Sequence, residues 1–145
     1  MGYAKKLNII SNVIVKNSLK HYYAAGKKVG YQFELRLDYY RGHFLSVIDE
    51  FEVKMDGQSV PSERIKFCIN SKEFSPVEFD KCYSEFWQAI EPATVRVICP
   101  EGLSDDDFHQ IDVTLIFRSP YMPIGPDHQY MAIDNCGSRM MKITD

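Results

Sequence analysis

The chain has 145 residues and a formal net charge of −3 at pH 7, and 45% of its residues are hydrophobic. That hydrophobic content excludes a disordered chain, which combines low hydrophobicity with high net charge, and the length predicts one domain with a sizeable core. The acidic balance, without any cluster of Lys or Arg, gives no electrostatic reason to expect nucleic acid or an anionic membrane as a partner.

The N-terminal part of the chain predicts strands in close succession. A first strand is predicted over Asn8–Val15, and Gly26 marks a turn. Tyr31–Tyr39 alternates apolar and polar residues without exception, which is typical of a strand with one buried face. Phe44–Val53 follows as a strand whose alternation breaks near Asp49-Glu50, and that break predicts a bulge or a bend at a sheet corner.

Turn signals organise the middle of the chain. Asp56-Gly57 predicts a tight hairpin, because a type I′ turn needs positive φ at both central residues. Ile65–Ile69 is the next predicted strand, and Asn70–Lys72 is the turn that ends it. Ser75-Pro76-Val77-Glu78 predicts the one short helix of the chain, with Ser as its cap and Pro in its first turn.

The last third predicts two more strands, Ala93–Cys99 and His109–Arg118, with an exposed acidic turn at Ser104–Asp107 between them. About seven or eight short strands separated by turn signals predict an all-β fold, an antiparallel β-sandwich or jelly-roll-like domain with at most one short helix. A closed barrel is the less favoured alternative. We predict a single domain over residues 1–145, with a strand core from about 8 to 118 and an irregular C-terminal tail over 119–145.

Neither a membrane span nor a signal peptide is predicted. No stretch approaches the roughly 20 apolar residues that a membrane-spanning helix needs. Asn8, Ser11 and Asn12 interrupt the apolar N-terminal run, and no small-residue cleavage site follows it. Four widely separated cysteines without a C-x-x-C pair predict a reduced, cytoplasmic protein.

The ionisable residues form no recognisable catalytic or metal-binding motif. The chain has four histidines without an H-x-H pair, which we predict on the surface or in turns: His21, His43, His109 and His128. Asp105-Asp106-Asp107 is acidic enough to suggest calcium, but the twelve-residue calcium loop is absent, and a solvated turn is favoured. We therefore assign no catalytic residue and no metal ligand in this chain.

Aromatic residues and arginines outside the alternating pattern are candidates for a partner surface, since these side chains are enriched at interface hot spots. Trp87 is either a core residue or an interface residue. Tyr40-Arg41 and the segment from Arg118 to Tyr121 form either a partner surface or a structural corner. Our interface candidates are Tyr40, Arg41, Trp87, Arg118 and Tyr121.

An ordered set of short motifs resembles a known family. The set consists of Tyr39-Tyr40-Arg41-Gly42, Leu45-Ser46, the strand running into Asp56-Gly57, Ile65-x-Phe67 with Asn70, Trp87, Pro92-Ala93-Thr94, Gly102-Leu103 and Arg118-Ser119-Pro120-Tyr121. In this order they resemble the small, or beta, subunit of the bacterial C-glycoside deglycosidases. The resemblance covers roughly Tyr31 to Cys136.

The resemblance implies a non-catalytic β-sandwich subunit in a hetero-oligomer with a larger, TIM-barrel-like alpha subunit. In that family the pair acts as a carbon–carbon lyase on 3-keto C-glucosides, such as oxidised flavonoid C-glucosides, by β-elimination. It also implies that the divalent metal and the catalytic residues belong to the alpha subunit, with no cofactor in this chain.

Two other functional classes compete with this interpretation. A free-standing carbohydrate-binding module would present Trp87 and Tyr40 to solvent as a flat aromatic strip. An independent β-barrel enzyme would need ionisable residues inside the sheet, whereas the predicted inward positions are apolar. Those positions are Phe33, Leu35, Leu37, Val113, Leu115 and Phe117.

Overall fold

The architecture is that of a computed structural model. It describes residues 6–8, 13–36, 43–82, 85–87, 91–123, 130–134 and 136–144. Within these ranges it contains strands and short 3-10 helices but no α-helix. The all-β prediction is therefore confirmed.

The first sheet is built around one long strand. In sheet order its strands are β1 (Lys6–Asn8), β12 (Tyr130–Asp134), β11 (His109–Pro123), β5 (Ile48–Met55) and β6 (Gln58–Ser59), and β13 (Gly137–Met141) also pairs with β11. The β1–β12 pair is parallel and the other pairs are antiparallel. One edge of β11 thus carries β13 along its first residues and β12 along its later ones.

The second sheet is wholly antiparallel. In sheet order its strands are β2 (Lys20–Ala24), β3 (Lys27–Leu35), β10 (Ala93–Ile98), β7 (Ile65–Ile69) and β8 (Lys72–Phe74). A separate two-stranded sheet pairs β4 (His43–Phe44) with β9 (Phe86–Trp87). Three 3-10 helices complete the described elements: Leu45–Val47, Ser62–Arg64 and Pro76–Lys81.

The core lies between the two large sheets. The alternating strands turn one face inward, so that Phe33 and Phe67 of the second sheet and Leu115 of the first are fully buried. The rings of Phe51 and Phe67 meet edge to face across the sheets, with their centroids 5.5 Å apart. Burial of such large apolar side chains is the main favourable term in folding and holds the two sheets together as a sandwich.

Three tight turns match the turn signals of the sequence. Ala25-Gly26, Asp56-Gly57 and Asn70-Ser71 each have positive φ at both residues, which is the type I′ geometry of a two-residue hairpin. The pairing of β5 with β11 also shifts register opposite Asp49, since Glu50 pairs with Ile116 and Ile48 with Phe117. The predicted bulge at Asp49-Glu50 is confirmed.

Five predicted elements differ from the structure. The predicted Phe44–Val53 strand is divided: Phe44 ends β4, Leu45–Val47 is a 3-10 helix, and β5 begins only at Ile48. The tail predicted as irregular contains the end of β11 and the strands β12 and β13, so this prediction was wrong. Within the predicted Asn8–Val15 strand, the described residues form strand structure only at Asn8, the last residue of β1, and an isolated bridge at Ile14. The Tyr31–Tyr39 strand begins earlier, at Lys27, and residues 37–42 lie outside the described part. The predicted short helix is the 3-10 helix Pro76–Lys81, which begins with a capping box between Ser75 and Glu78.

Two further findings concern the environment of the chain. Among the described residues no helix is long and apolar enough to cross a membrane. Cys68 and Cys99 are free thiols at half-buried positions of the second sheet and of the loop that follows it.

Candidate functional site

One end of the sandwich gathers several polar groups that have a defined geometry. We call it the turn end; it comprises the Asp56-Gly57 turn and the loop from Cys99 to Phe108. A cleft of about 420 Å³ opens there between the two sheets, and its lining includes Tyr31, Asp56, Arg64, Cys99 and Glu101. The cleft places a buried phenol and a thiol beside exposed charged side chains.

The hydroxyl of Tyr31 stays protonated in this cleft. Burial raises its pKa well above the ordinary range, and the neighbouring Cys99 and Asp56 raise it further, since each adds unfavourable negative charge. Tyr31 is therefore a hydrogen-bonding group here and is not a base at neutral pH.

His109, the first residue of β11, joins the Asp56 turn to the loop. Its Nδ1 lies 2.8 Å from Oδ2 of Asp56, and its Nε2 lies 2.8 Å from the carbonyl oxygen of Ser104. Because both partners are acceptors, both ring nitrogens donate, and the arrangement selects the doubly protonated imidazolium. The other oxygen of Asp56 accepts the backbone N–H of Gln110 at 2.8 Å, which fixes the carboxylate.

The pKa values follow from this geometry. Burial alone would lower the pKa of His109, but the hydrogen bonds to Asp56 and to Ser104 and the charges of Asp56 and Asp107 raise it above the ordinary range. Burial works to raise the pKa of Asp56, and its bonds to His109 and Gln110 outweigh that effect and lower it. The two groups form a charge-assisted pair at neutral pH.

We expect the contribution of His109 to stability to fall as pH rises. A histidine whose pKa is raised in the folded state stabilises fully below its unfolded pKa of about 6.5, and that contribution is lost as pH rises through the folded value. Replacement with glutamine (H109Q) should lower the free energy of unfolding by about 1.5–3 kcal/mol at pH 6, the range for hydrogen bonds to charged groups. The difference should shrink by pH 9. Urea titrations of both proteins at the two pH values measure it, and a pH-independent difference would contradict the imidazolium assignment.

A second buried histidine holds the same loop from the other sheet. His21 lies on β2, and its Nε2 donates to the carboxylate of Asp105. Its Nδ1 is buried without a hydrogen-bond partner among the described residues. The acidic loop is thus anchored to both sheets.

Large apolar side chains are exposed around this loop. Phe108, the last residue of the loop, is 60% exposed, and Nζ of Lys142 lies 5.1 Å from the centroid of its ring. Met140 on β13 is 53% exposed and lies opposite Gln110 in the sheet. Tyr23 on β2 is 52% exposed, and its ring meets that of His21 edge to face. The turn end therefore presents apolar surface beside carboxylates.

A smaller cleft, of about 310 Å³, lies elsewhere, between β5 and the 3-10 helix Pro76–Lys81. Ile48, Phe51 and Phe79 line it together with Val77, which is 71% exposed. Asp49 and Ser62 add polar groups to its lining, and Val77 is an exposed apolar residue away from the turn end.

Comparison with known proteins decides the family. The model of the family described as C-glycoside deglycosidase beta subunit matches residues 9–121. A beta subunit of that name from Eubacterium cellulosolvens is 33% identical over 112 residues, which cover 73% of this chain and 76% of the relative. The chain belongs to the C-glycoside deglycosidase beta subunit family.

Two further relatives agree with this assignment. The 3'-dehydrocarminate deglycosidase beta subunit of a Microbacterium species is 31% identical over 112 residues, covering 77% of this chain and 80% of the relative. A C-glycoside deglycosidase beta subunit from Microbacterium trichothecenolyticum is 28% identical over 109 residues, covering 75% and 81%. The name beta subunit implies that these relatives belong to an assembly with another subunit.

In this beta subunit, the structure places Trp87 in the core. The side chain is 2% exposed and meets the ring of Phe67 edge to face at 5.2 Å. Its Nε1 donates to the carbonyl oxygen of Glu91 at 2.9 Å. Of the two interpretations left open by the sequence, this burial favours core packing, and the interface assignment of Trp87 stays a prediction.

The other four interface candidates stay predictions. Tyr40 and Arg41 lie outside the described residues. Arg118 and Tyr121 belong to the later part of β11, far along the strand from His109, and their side chains are outside the described set.

His21 and His109 differ from their sequence-based prediction, which placed both on the surface or in turns. Both are buried and each binds an aspartate. The available signal for His109 was its position at the start of an alternating strand, where it takes the inward register of Ile111 and Val113. No comparable signal exists for His21, since its partner Asp105 lies 84 residues away.

The described part of the beta subunit offers no metal-binding set. No three His, Cys, Asp or Glu side chains converge there as ligands for a metal ion. The Asp105–Asp107 turn is engaged instead with His21 and with the charge of His109.

Proposed function

We propose that this chain is the supporting, non-catalytic beta subunit of a heteromeric carbon–carbon lyase that cleaves the C-glycosidic bond of 3-keto C-glucosides with flavonoid-type aglycones. The match of the family model over residues 9–121 carries the proposal. The substrate name of one relative, a 3'-dehydrocarminate deglycosidase beta subunit, supports a sugar oxidised at C3.

The proposed reaction is a β-elimination. A ketone at C3 acidifies the proton at C2, and a general base removes it. The electron pair forms the C1–C2 double bond, and the bond from C1 to the aryl carbon breaks. The aryl carbon takes up a proton, which a phenol on the ring facilitates. The products are an unsaturated keto sugar and the free aglycone.

We assign the base and a divalent metal to a TIM-barrel-like alpha subunit, with no cofactor in this chain. A divalent ion in the partner would polarise the sugar carbonyl as a Lewis acid. The residues of this chain bury partner surface, hold loops at the active site and exclude water. The thiols Cys68 and Cys99 suit a reducing compartment, and we place the complex in the cytoplasm.

The geometry disfavours the two competing classes. A carbohydrate-binding module would need Trp87 in solvent, and that side chain is buried. An independent barrel enzyme would need ionisable groups on the inward faces of the strands. Five of the six inward positions named from the sequence lie in the described part, and all five are buried apolar residues: Phe33, Leu35, Val113, Leu115 and Phe117.

Co-expression with the product of the neighbouring gene tests the proposal. We expect one stable complex on size-exclusion chromatography, and lyase activity on a 3-keto C-glucoside only when both chains are present. Each chain alone is the control, at matched concentration and with added Mn²⁺ or Mg²⁺. A monodisperse chain that ignores its neighbour would refute the subunit assignment.

A further inference from the structure

Three of the four large apolar side chains that are at least half exposed among the described residues surround a single loop. They are Tyr23, Phe108 and Met140; the fourth, Val77, lies beside the smaller cleft. They connect to the loop in three ways: Phe108 ends it, Met140 pairs in the sheet with Gln110, two residues after Phe108, and the ring of Tyr23 meets that of His21, which binds Asp105. Clustered exposed apolar side chains of this kind mark interaction sites more often than scattered ones do.

Hydrogen bonds from two histidines hold the loop, as they would not hold a fully solvated acidic turn. Two buried imidazoles from different sheets hold it, His21 at Asp105 and His109 at Ser104. His109 also binds Asp56 of the neighbouring turn, so the two turns at this end are fixed relative to each other. Binding residues placed on a preorganised loop lose little conformational freedom when a partner docks.

The loop itself is acidic, while Nζ of Lys142 from the C-terminal segment lies over the ring of Phe108. The segment from Glu101 to Asp107 contains four acidic residues and no basic one. Asp106 and Asp107 are exposed, and neither carries the His21 bond that holds Asp105. A partner that fits this surface presents basic residues around an apolar socket, because complementary charge at the rim speeds association and fixes register.

We propose that this loop surface, formed by Tyr23, Asp105–Asp107, Phe108 and Met140, is where the alpha subunit docks, with Phe108 as its apolar anchor. The proposal rests on the subunit function proposed above. It locates the interface at the turn end, away from the later part of β11 where the sequence placed Arg118 and Tyr121.

Affinity measurements on the two-chain complex test the surface. Phe108→Ser should weaken binding of the purified alpha subunit at least tenfold, as expected for a central aromatic anchor. Val77→Ser is the matched control, since it removes an apolar side chain that is also more than half exposed but lies elsewhere, and it should change the dissociation constant less than twofold. Circular dichroism and urea midpoints of each variant confirm that it is folded.

The carboxylates have a separate, kinetic test. The double variant Asp106→Asn with Asp107→Asn should slow association severalfold at low salt and flatten its dependence on ionic strength, as rim charges act chiefly on the on-rate. Asp105 is left intact because it is bonded to His21. An on-rate and a salt dependence equal to those of wild type would show that the acidic loop is not part of the interface.

The outcomes separate this proposal from the proposed function. If wild type binds the alpha subunit and Phe108→Ser binds equally well, the loop surface is refuted while the subunit function stands. Loss of binding with Arg118→Ala but not with Phe108→Ser would move the interface to the later part of β11. A homodimer of the isolated chain that depends on Phe108 would assign the surface to a second copy. Absence of any wild-type complex would overturn both proposals.

Discussion

Replacing Trp87 with alanine should lower the free energy of unfolding by about 3–5 kcal/mol, the range measured when a large aromatic side chain is removed from a core. Trp87 is 2% exposed and packs against Phe67, which in turn meets Phe79 and Phe51 edge to face. Its removal therefore leaves a cavity within a cluster of rings that joins both sheets. The lost hydrogen bond of the indole N–H adds little to this loss of stability, because Glu91 is exposed and its carbonyl oxygen can accept a hydrogen bond from water instead.

Two measurements check this expectation. Urea unfolding followed by far-UV circular dichroism gives the free energies of wild type and Trp87→Ala. The control Trp87→Phe keeps most of the packing and should cost less than Trp87→Ala, because it leaves a smaller cavity. Trp87 is the sole tryptophan of the chain, so a blue-shifted wild-type emission reports its burial directly. Solvent-like emission, or a Trp87→Ala variant as stable as wild type, would contradict the core position of Trp87.

The strands with strict alternation were predictable because a single buried face imposes a period of two. Phe33 and Leu35, or Val113 and Leu115, are buried as that period requires, and their polar neighbours are only partly buried. The type I′ turns were predictable because positive φ restricts which residues can occupy them, as at Asp56-Gly57. Local rules of this kind need no knowledge of the rest of the chain.

The C-terminal strands were missed because their local pattern opposes the structure they adopt. Pro120 and Pro123 lack the N–H that a sheet ladder needs, and such residues usually end a strand. Here the β11–β12 pairing shifts its register between Arg118 and Pro123, which accommodates the prolines. β13 begins with Gly137-Ser138, residues with low strand propensity, and its pairing with His109–Val113 is what orders it.

The turn-end site was beyond prediction from a single sequence because its contacts span the chain. His109 is bonded to Asp56, which lies 53 residues away in the sequence, and His21 is bonded to Asp105, which lies 84 residues away. Only the topology, which brings the starts of β11 and β2 to the same end, creates these pairs. The acidic turn itself was visible as charge, but its attachment to two buried histidines was not.

Replacing Gly30 with alanine is the second substitution expected to have a large effect. Gly30 lies in β3 between β2 and β10, opposite Tyr22 and Ile98. A Cβ atom there would stand 1.8 Å from the carbonyl oxygen of Val97 and 2.9 Å from the backbone nitrogen of Cys99. Both contacts are to backbone, so relief requires the central strands to move apart, and we expect a loss of about 3 kcal/mol or more, the upper end for overpacking.

Gly26→Ala separates this clash from the general effect of removing a glycine. Gly26 has φ +80, and nothing lies within 4 Å of the position that an added methyl group would occupy, so alanine there meets only the left-handed backbone penalty, about 1–2 kcal/mol. Urea titrations followed by Trp87 emission compare the two variants with wild type. The contacts at Gly30 are with the end of β10 that leads into the acidic loop. Gly30→Ala should therefore also perturb that loop, whereas Gly26→Ala should not. Equal stability of the two variants would contradict the close approach of β3 and β10 at Gly30.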